Sequence, residues 1–162
     1  MLIGTLNPSS GVYQVVLAIH ILAAIVGFGG VLLNGVYAQQ GRKRGGAEWA
    51  AVSEANEFVS HRVAEPAIYL VPLLGFALIG MSDKLWKFSQ LWVSASLGLY
   101  IVALGIAHAV LIPTHRKINA LLRSAAPPAG EIASLEKRTA AAGGVNSLIL
   151  VVILLLMVVK PL

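Results

Sequence analysis

Hydrophobic residues in this chain come in long unbroken runs rather than in alternation. One run extends from about Val12 to Tyr37 with no charged residue, and a second from about Val63 to Gly80 with Glu65 near its start. A third, Leu91 to Ile112, is uncharged, and a fourth, Val145 to Val159, ends at Lys160. Crossing a hydrocarbon core of roughly 30 Å takes about 20 helical residues. The first and third runs reach that length. The second reaches it with Phe58 and Val59, the fourth with Ala140 to Ala142. Spans are therefore expected at about 12–38, 60–80, 90–112 and 142–159. Strands are excluded, because the runs do not alternate and an open sheet edge in lipid leaves backbone groups unsatisfied. The expected fold is all-α: an integral membrane four-helix bundle, a single transmembrane domain over residues 1–162.

The polar segments between the runs predict further elements. Ala47 to Val59 reads as a short helix leading into the second span. Glu131 to Ala142 reads as another, following a breaker from Ala125 to Gly130 that contains Pro127 and Pro128. Pro113 is expected to kink or end the third span. No internal repeat is visible. The first run is not read as a cleavable signal peptide, since no basic residue precedes it and it is far longer than a signal core.

Composition agrees with a membrane solvent. Hydrophobic residues make up 57% of the chain and charged residues 12%, against about 25% charged in a soluble domain. Mean hydropathy is +0.81. Cysteine is absent, which removes disulfides and thiolate metal sites. The net charge of +5 lies between apolar runs. It therefore points to anionic lipid headgroups as partners, not nucleic acid.

Charge placement sets an orientation. Arg42, Lys43, Arg44, Arg62, Arg116, Lys117, Arg123, Lys137 and Arg138 fall on one side, and Lys84, Lys87 and Lys160 on the other. The positive-inside rule puts the first group in the cytoplasm, so both termini face outward, with the loop helices inside. Tyr13, Trp86, Phe88 and Trp92 then form an outer aromatic belt, and Tyr37, Trp49 and Phe58 an inner one. The expected location is the bacterial inner (plasma) membrane, as a multi-pass protein.

Polar residues at membrane depth are costly and need a partner or a purpose. At a helical rise of about 1.5 Å per residue, Asn34, Glu65, His108 and Asn146 all lie within about 6 Å of the cytoplasmic edge. His61, Glu65 and Tyr69, spaced i, i+4 and i+8, share a helix face. An inner-leaflet cluster of Asn34, His61, Glu65, Tyr69, His108 and Asn146 is expected. Two uses stand side by side: interhelical hydrogen bonding, or a proton-handling, metal or headgroup site built on Glu65 and a histidine. The spacing matches no metal motif. His20 is separate, about 12 Å below the outer edge. It either hydrogen-bonds a neighbouring helix, at Ser96 or Tyr100, or ligates a haem. His20 and His108 differ by about 13 Å in depth, so they do not share one iron. Small residues recur at Ala23, Gly27, Gly30, Gly75, Gly80, Ala95, Gly98, Gly105 and Ala109, and predict close helix packing.

The stretch LAIHILAAIVGFGG at Leu17–Gly30, Trp92 followed by His108, and the MVVKPL end resemble the four-helix bacterial membrane superfamily that includes copper resistance protein D and membrane-bound protoporphyrinogen oxidase. The Glu65–Pro66 start of the second span looks more like a small uncharacterised family of predicted integral membrane proteins within it. The resemblance implies haem b as a cofactor, with His20 as ligand opposed by a lysine. That lysine would align with Ser96, which cannot replace it, and the oxidase's acidic motif is missing, so its activity is not expected here. His20, Ser96 and Tyr100 are the candidate mid-membrane haem site.

No phosphate loop, zinc-protease motif, nucleophile elbow or dinucleotide fingerprint is present, so the residues point away from an enzyme. The expected function is a non-catalytic accessory or structural subunit of a membrane complex, with other membrane subunits or a second copy as partners. The alternatives are a haem-binding redox protein and a copper-handling protein. Copper is weakened by only three methionines, since copper(I) prefers sulfur ligands.

Overall fold

A computed structural model of the chain describes residues 8–124 and 126–160. Ala125 of the predicted breaker, Pro161 and Leu162 of the MVVKPL end, and residues 1–7 lie outside the described residues. The described residues form helices without strands: α1 (Gly11–Arg44), α2 (Gly46–Val59), α3 (Glu65–Gly80), α4 (Leu91–Ile106), α5 (Ile112–Leu122) and α6 (Ala129–Val159). A π-helical turn, Ser60–Ala64, joins α2 to α3, and another, Ala107–Leu111, joins α4 to α5. Four continuous rods result: Gly11–Arg44, Gly46–Gly80, Leu91–Leu122 and Ala129–Val159, each long and apolar enough to cross a membrane. The short helices predicted over Ala47–Val59 and Glu131–Ala142 are thus parts of longer rods.

The chain folds as two antiparallel hairpins. The first turns at Gly45 and Gly46, which take φ values of 71° and 50°, a region where a Cβ is strained. It packs α1 along α2 and α3, and the second hairpin packs α6 along α4 and α5. The hairpins meet through α1 with α6 and α2 with α5. Between α1 and α3 the small residues allow close approach. A Cβ on Gly30 would lie 2.7 Å from the Ala64 Cβ, and one on Gly27 2.9 Å from Ile68. Gly80, Gly98 and Gly105 meet nothing within 4 Å, so the packing role expected of them is not seen. Ala23, Phe28, Val71, Tyr100, Ala103, Leu150 and Ile153 form the core. The opposite faces are bare of protein: Ile25 is 64%, Leu73 63%, Ile101 62% and Leu148 65% exposed. A lipid solvent removes the cost of those faces.

Pro113 does not end the third rod. A proline ring presses on the carbonyl four residues earlier and supplies no N–H. Widening the preceding turn relieves both demands, and Ala107–Leu111 is such a turn, with Ile112 N–H donating to the Ala107 carbonyl. The same solution precedes Pro66, where Glu65 N–H donates to the Ser60 carbonyl. Pro72 lies inside α3 and deprives the Ile68 carbonyl of its donor, which the Tyr100 hydroxyl replaces.

At one end of the bundle, Trp86 and Trp92 meet edge to face at 5.3 Å. The Trp86 indole N–H donates to the Tyr13 hydroxyl at 3.2 Å, and Lys160 Nζ sits 4.3 Å above the Trp86 ring. The end carrying α2, α5 and the first half of α6 is stitched by ion pairs. Arg42 meets Glu136 at 3.2 Å and Lys117 meets Glu131 at 2.7 Å. Asn119 donates to Glu57.

Candidate functional site

The basic end of the bundle contains a cavity of about 420 Å³. Its walls include Asn34, His61, Glu65, Tyr69, His108 and Asn146, the six residues grouped in the sequence by depth and by a shared helix face, drawn from all four rods. Arg42 and Glu136 also line it, as do apolar Val31, Ile68, Leu104 and Leu111.

A continuous hydrogen-bonded chain runs along one wall. His61 Nδ1 lies 2.7 Å from Glu65 Oε2. The other carboxylate oxygen, Oε1, is 3.2 Å from the Tyr69 hydroxyl. That hydroxyl lies 2.6 Å from His108 Nε2, and His108 Nδ1 is 2.9 Å from the Leu104 carbonyl. The i, i+4, i+8 spacing sets the first three residues on one face of α2–α3, as expected. The partner across the gap, His108, comes from the second π-turn.

Sequence position alone missed Ser60, whose hydroxyl donates to Asn34 Oδ1 at 3.2 Å. It also missed a short pattern that both π-turns share. His61 to Pro66 and His108 to Pro113 each read H-x-V-x-x-P. In both, the residue before proline donates its N–H one residue further back than an α-helix would, to Ser60 or Ala107. The carbonyls of His61 and His108 then have no helical donor: the N–H four residues on is already spent, and the proline five residues on has none. Each histidine thus sits on a widened turn beside its own under-satisfied carbonyl. Single π-turns of this kind concentrate at functional sites.

Asn146 lines the cavity from α6. It is 3% exposed, and its Oδ1 has no hydrogen-bond partner among the described residues. Arg42 and Glu136 pair with each other. Asn146 Oδ1 and the two histidine carbonyls are acceptors at the site left without a helical or side-chain donor.

Nearer mid-bundle, His20, Ser96 and Tyr100 do not line this cavity. His20 Nδ1 meets the Val71 carbonyl at 3.0 Å, not Ser96 or Tyr100, and the ring edge lies 3.5 Å from where a Gly75 Cβ would be. Glycine at 75 leaves the imidazole room to reach backbone on α3. Tyr100 is committed to the Ile68 carbonyl. Ser96 is 2% exposed, and its hydroxyl has no partner among the described residues. A buried serine and a spent tyrosine supply neither a second axial ligand nor an open face beside His20. These residues do not fit a haem. Among the described residues no three His, Asp or Glu side chains come together to hold a metal ion.

Residues 14–161 match the model of a family described as predicted integral membrane protein, DUF2269. Comparison with curated proteins and with solved structures found no match.

Proposed function

The chain belongs to the DUF2269 family of predicted integral membrane proteins, and from that premise we propose that it binds a small amphipathic molecule in the cavity at the basic end of its bundle. The basic loops face the cytoplasm of a bacterial inner membrane in this reading, which puts the cavity in the inner leaflet. The observation that carries it is Asn146, a residue of the cavity wall whose buried amide oxygen has no donor among the described residues. Leaving a buried acceptor unmade costs about 1–3 kcal/mol. A ligand that brings an N–H or O–H to that oxygen recovers the cost.

The wall chemistry narrows the ligand. The Asn146 acceptor and the Glu65 carboxylate in the wall suit a ligand whose polar end carries donors, as a primary amine or hydroxyl does. Val31, Ile68, Leu104 and Leu111 suit an apolar tail. About 420 Å³ falls in the range of small-molecule sites, about 300–1,000 Å³, and accommodates a headgroup with the start of its chains. The protein then acts as a non-catalytic binding component of the membrane, alone or beside partner subunits.

Native mass spectrometry of protein released from nanodiscs of mixed phosphatidylethanolamine and phosphatidylcholine tests this. The first headgroup has three N–H donors and the second none. Preferential retention of phosphatidylethanolamine, lost in Asn146→Leu, is the expected result. Equal retention of both lipids, or an unaffected variant, overturns the reading.

A further inference from the structure

The chain of contacts from Glu65 to His108 has a property that a binding pocket does not need. The Leu104 carbonyl can only accept, so His108 Nδ1, 2.9 Å away, carries a hydrogen. His108 Nε2 is then an acceptor in the neutral ring and a donor in the cation. Tyr69 has one hydroxyl hydrogen but lies within bonding distance of both Nε2, at 2.6 Å, and Glu65 Oε1, at 3.2 Å. Both contacts are hydrogen bonds only if Glu65 and His108 together hold one proton beyond those already placed.

We propose that Glu65, Tyr69 and His108 form a proton relay across the gap between α3 and the second π-turn. In one state Glu65 is a carboxylic acid donating to the Tyr69 oxygen, and Tyr69 donates to Nε2 of neutral His108. In the other, imidazolium His108 donates from Nε2 to the Tyr69 oxygen, and Tyr69 donates to the Glu65 carboxylate. Passage from the first to the second breaks the Glu65 O–H and the Tyr69 O–H bonds. It forms a new Tyr69 O–H bond and the His108 Nε2–H bond. One proton is translocated, and no other reactant is consumed.

The surroundings suit a relay. His61, from the first π-turn, touches the other carboxylate oxygen at 2.7 Å and gives Glu65 a second route for proton exchange. Arg42 of α1 is neutralised by Glu136 of α6 at 3.2 Å. His115 of α5 lines the same cavity and also a small adjoining pocket with Glu57 of α2 and Asn119. Tyr100 of α4 is bound to the Ile68 carbonyl. So His61 is the ionisable group outside the relay in direct contact with its acid end, Glu65, and among the described residues no lysine or arginine is bonded to Tyr69. Both relay ends stand beside the H-x-V-x-x-P turns, whose widened backbone sets His108 and His61 toward the same carboxylate–phenol pair.

The relay shares its cavity with the proposed ligand, but its test uses ligand-free protein in phosphatidylcholine nanodiscs. Failure of one therefore leaves the other standing. Protein labelled with 15N-histidine and 13C-glutamate is titrated by NMR, with Glu65→Gln and His108→Asn assigning the signals. Coupled groups titrate as a pair, so the Glu65 carboxyl and the His108 Nε2 signals are expected to follow common midpoints. Tyr69→Phe, which keeps the ring and removes the hydroxyl, is expected to separate them by about one pH unit or more. Independent midpoints in the wild-type protein overturn the relay, as do common midpoints that persist in folded Tyr69→Phe. The wild-type titration alone decides if that variant does not fold.

Discussion

The Tyr100 hydroxyl donates to the Ile68 carbonyl, the carbonyl that Pro72, four residues on, leaves without a helical donor. The pair joins α4 to α3 in the middle of the bundle, where lipid offers no substitute partner. Tyr100→Phe is expected to destabilise the protein by about 1 kcal/mol, the scale of hydrogen bonds inside membrane bundles. Pro72→Ala restores an N–H and should make the same tyrosine substitution cheaper by about 0.5 kcal/mol or more. Unfolding in mixed micelles, run as a double-mutant cycle, measures both. A tyrosine penalty identical in the two backgrounds contradicts the assignment.

Close packing of α1 on the first π-turn at Gly30 gives a second expectation. An added Cβ there falls 2.7 Å from the Ala64 Cβ, whereas one on Gly98 meets nothing within 4 Å. Gly30→Val should cost about 1–3 kcal/mol by overpacking. Gly98→Val should stay within about 0.5 kcal/mol of the wild type. The same micelle unfolding compares them, and equal costs would remove the distinction between a packed and an open glycine.

The helices were legible because continuous apolar runs admit few other structures in lipid. The six residues around the cavity were legible for a related reason. Membrane depth follows from position along a helix, so polar residues on different spans can be matched by level. The helix periodicity also gave His61, Glu65 and Tyr69 one face. Backbone chemistry was not legible in the same way. His20 found the Val71 carbonyl and Tyr100 the Ile68 carbonyl, and an inventory of side chains contains no carbonyls. Pro113 is expected to kink or end a helix, and the rod continues through it by way of a π-turn just before it. The recurring H-x-V-x-x-P was the available signal, too short to stand as a repeat without the two π-turns that give it meaning. Glycines 98 and 105 show the converse. Small residues permit close approach without requiring it.

Orientation rests on nine basic residues against three and is open to direct test. The chain has no cysteine, so single cysteines report without background. Ala126→Cys, between α5 and α6, should resist a membrane-impermeant maleimide added to intact spheroplasts. Lys87→Cys, between α3 and α4, should label. Both positions are exposed, so the contrast reports sidedness. The reverse pattern would invert the bundle and move the cavity to the outer leaflet.

Asn146 separates binding from structural hydrogen bonding by the sign of a single measurement. If its amide held helices together, Asn146→Leu would remove a bond and destabilise the bundle. Its Oδ1 has no partner among the described residues, and the residue is 3% exposed. Replacing an unmade buried acceptor with an apolar group of similar size removes a desolvation penalty. Asn146→Leu is therefore expected to stabilise the delipidated protein by about 1 kcal/mol while abolishing ligand retention. Such a gain bought with lost function is the usual signature of a binding residue. Unfolding of delipidated wild type and variant in the same detergent decides it: a destabilised Asn146→Leu would return the residue to the role of interhelical glue.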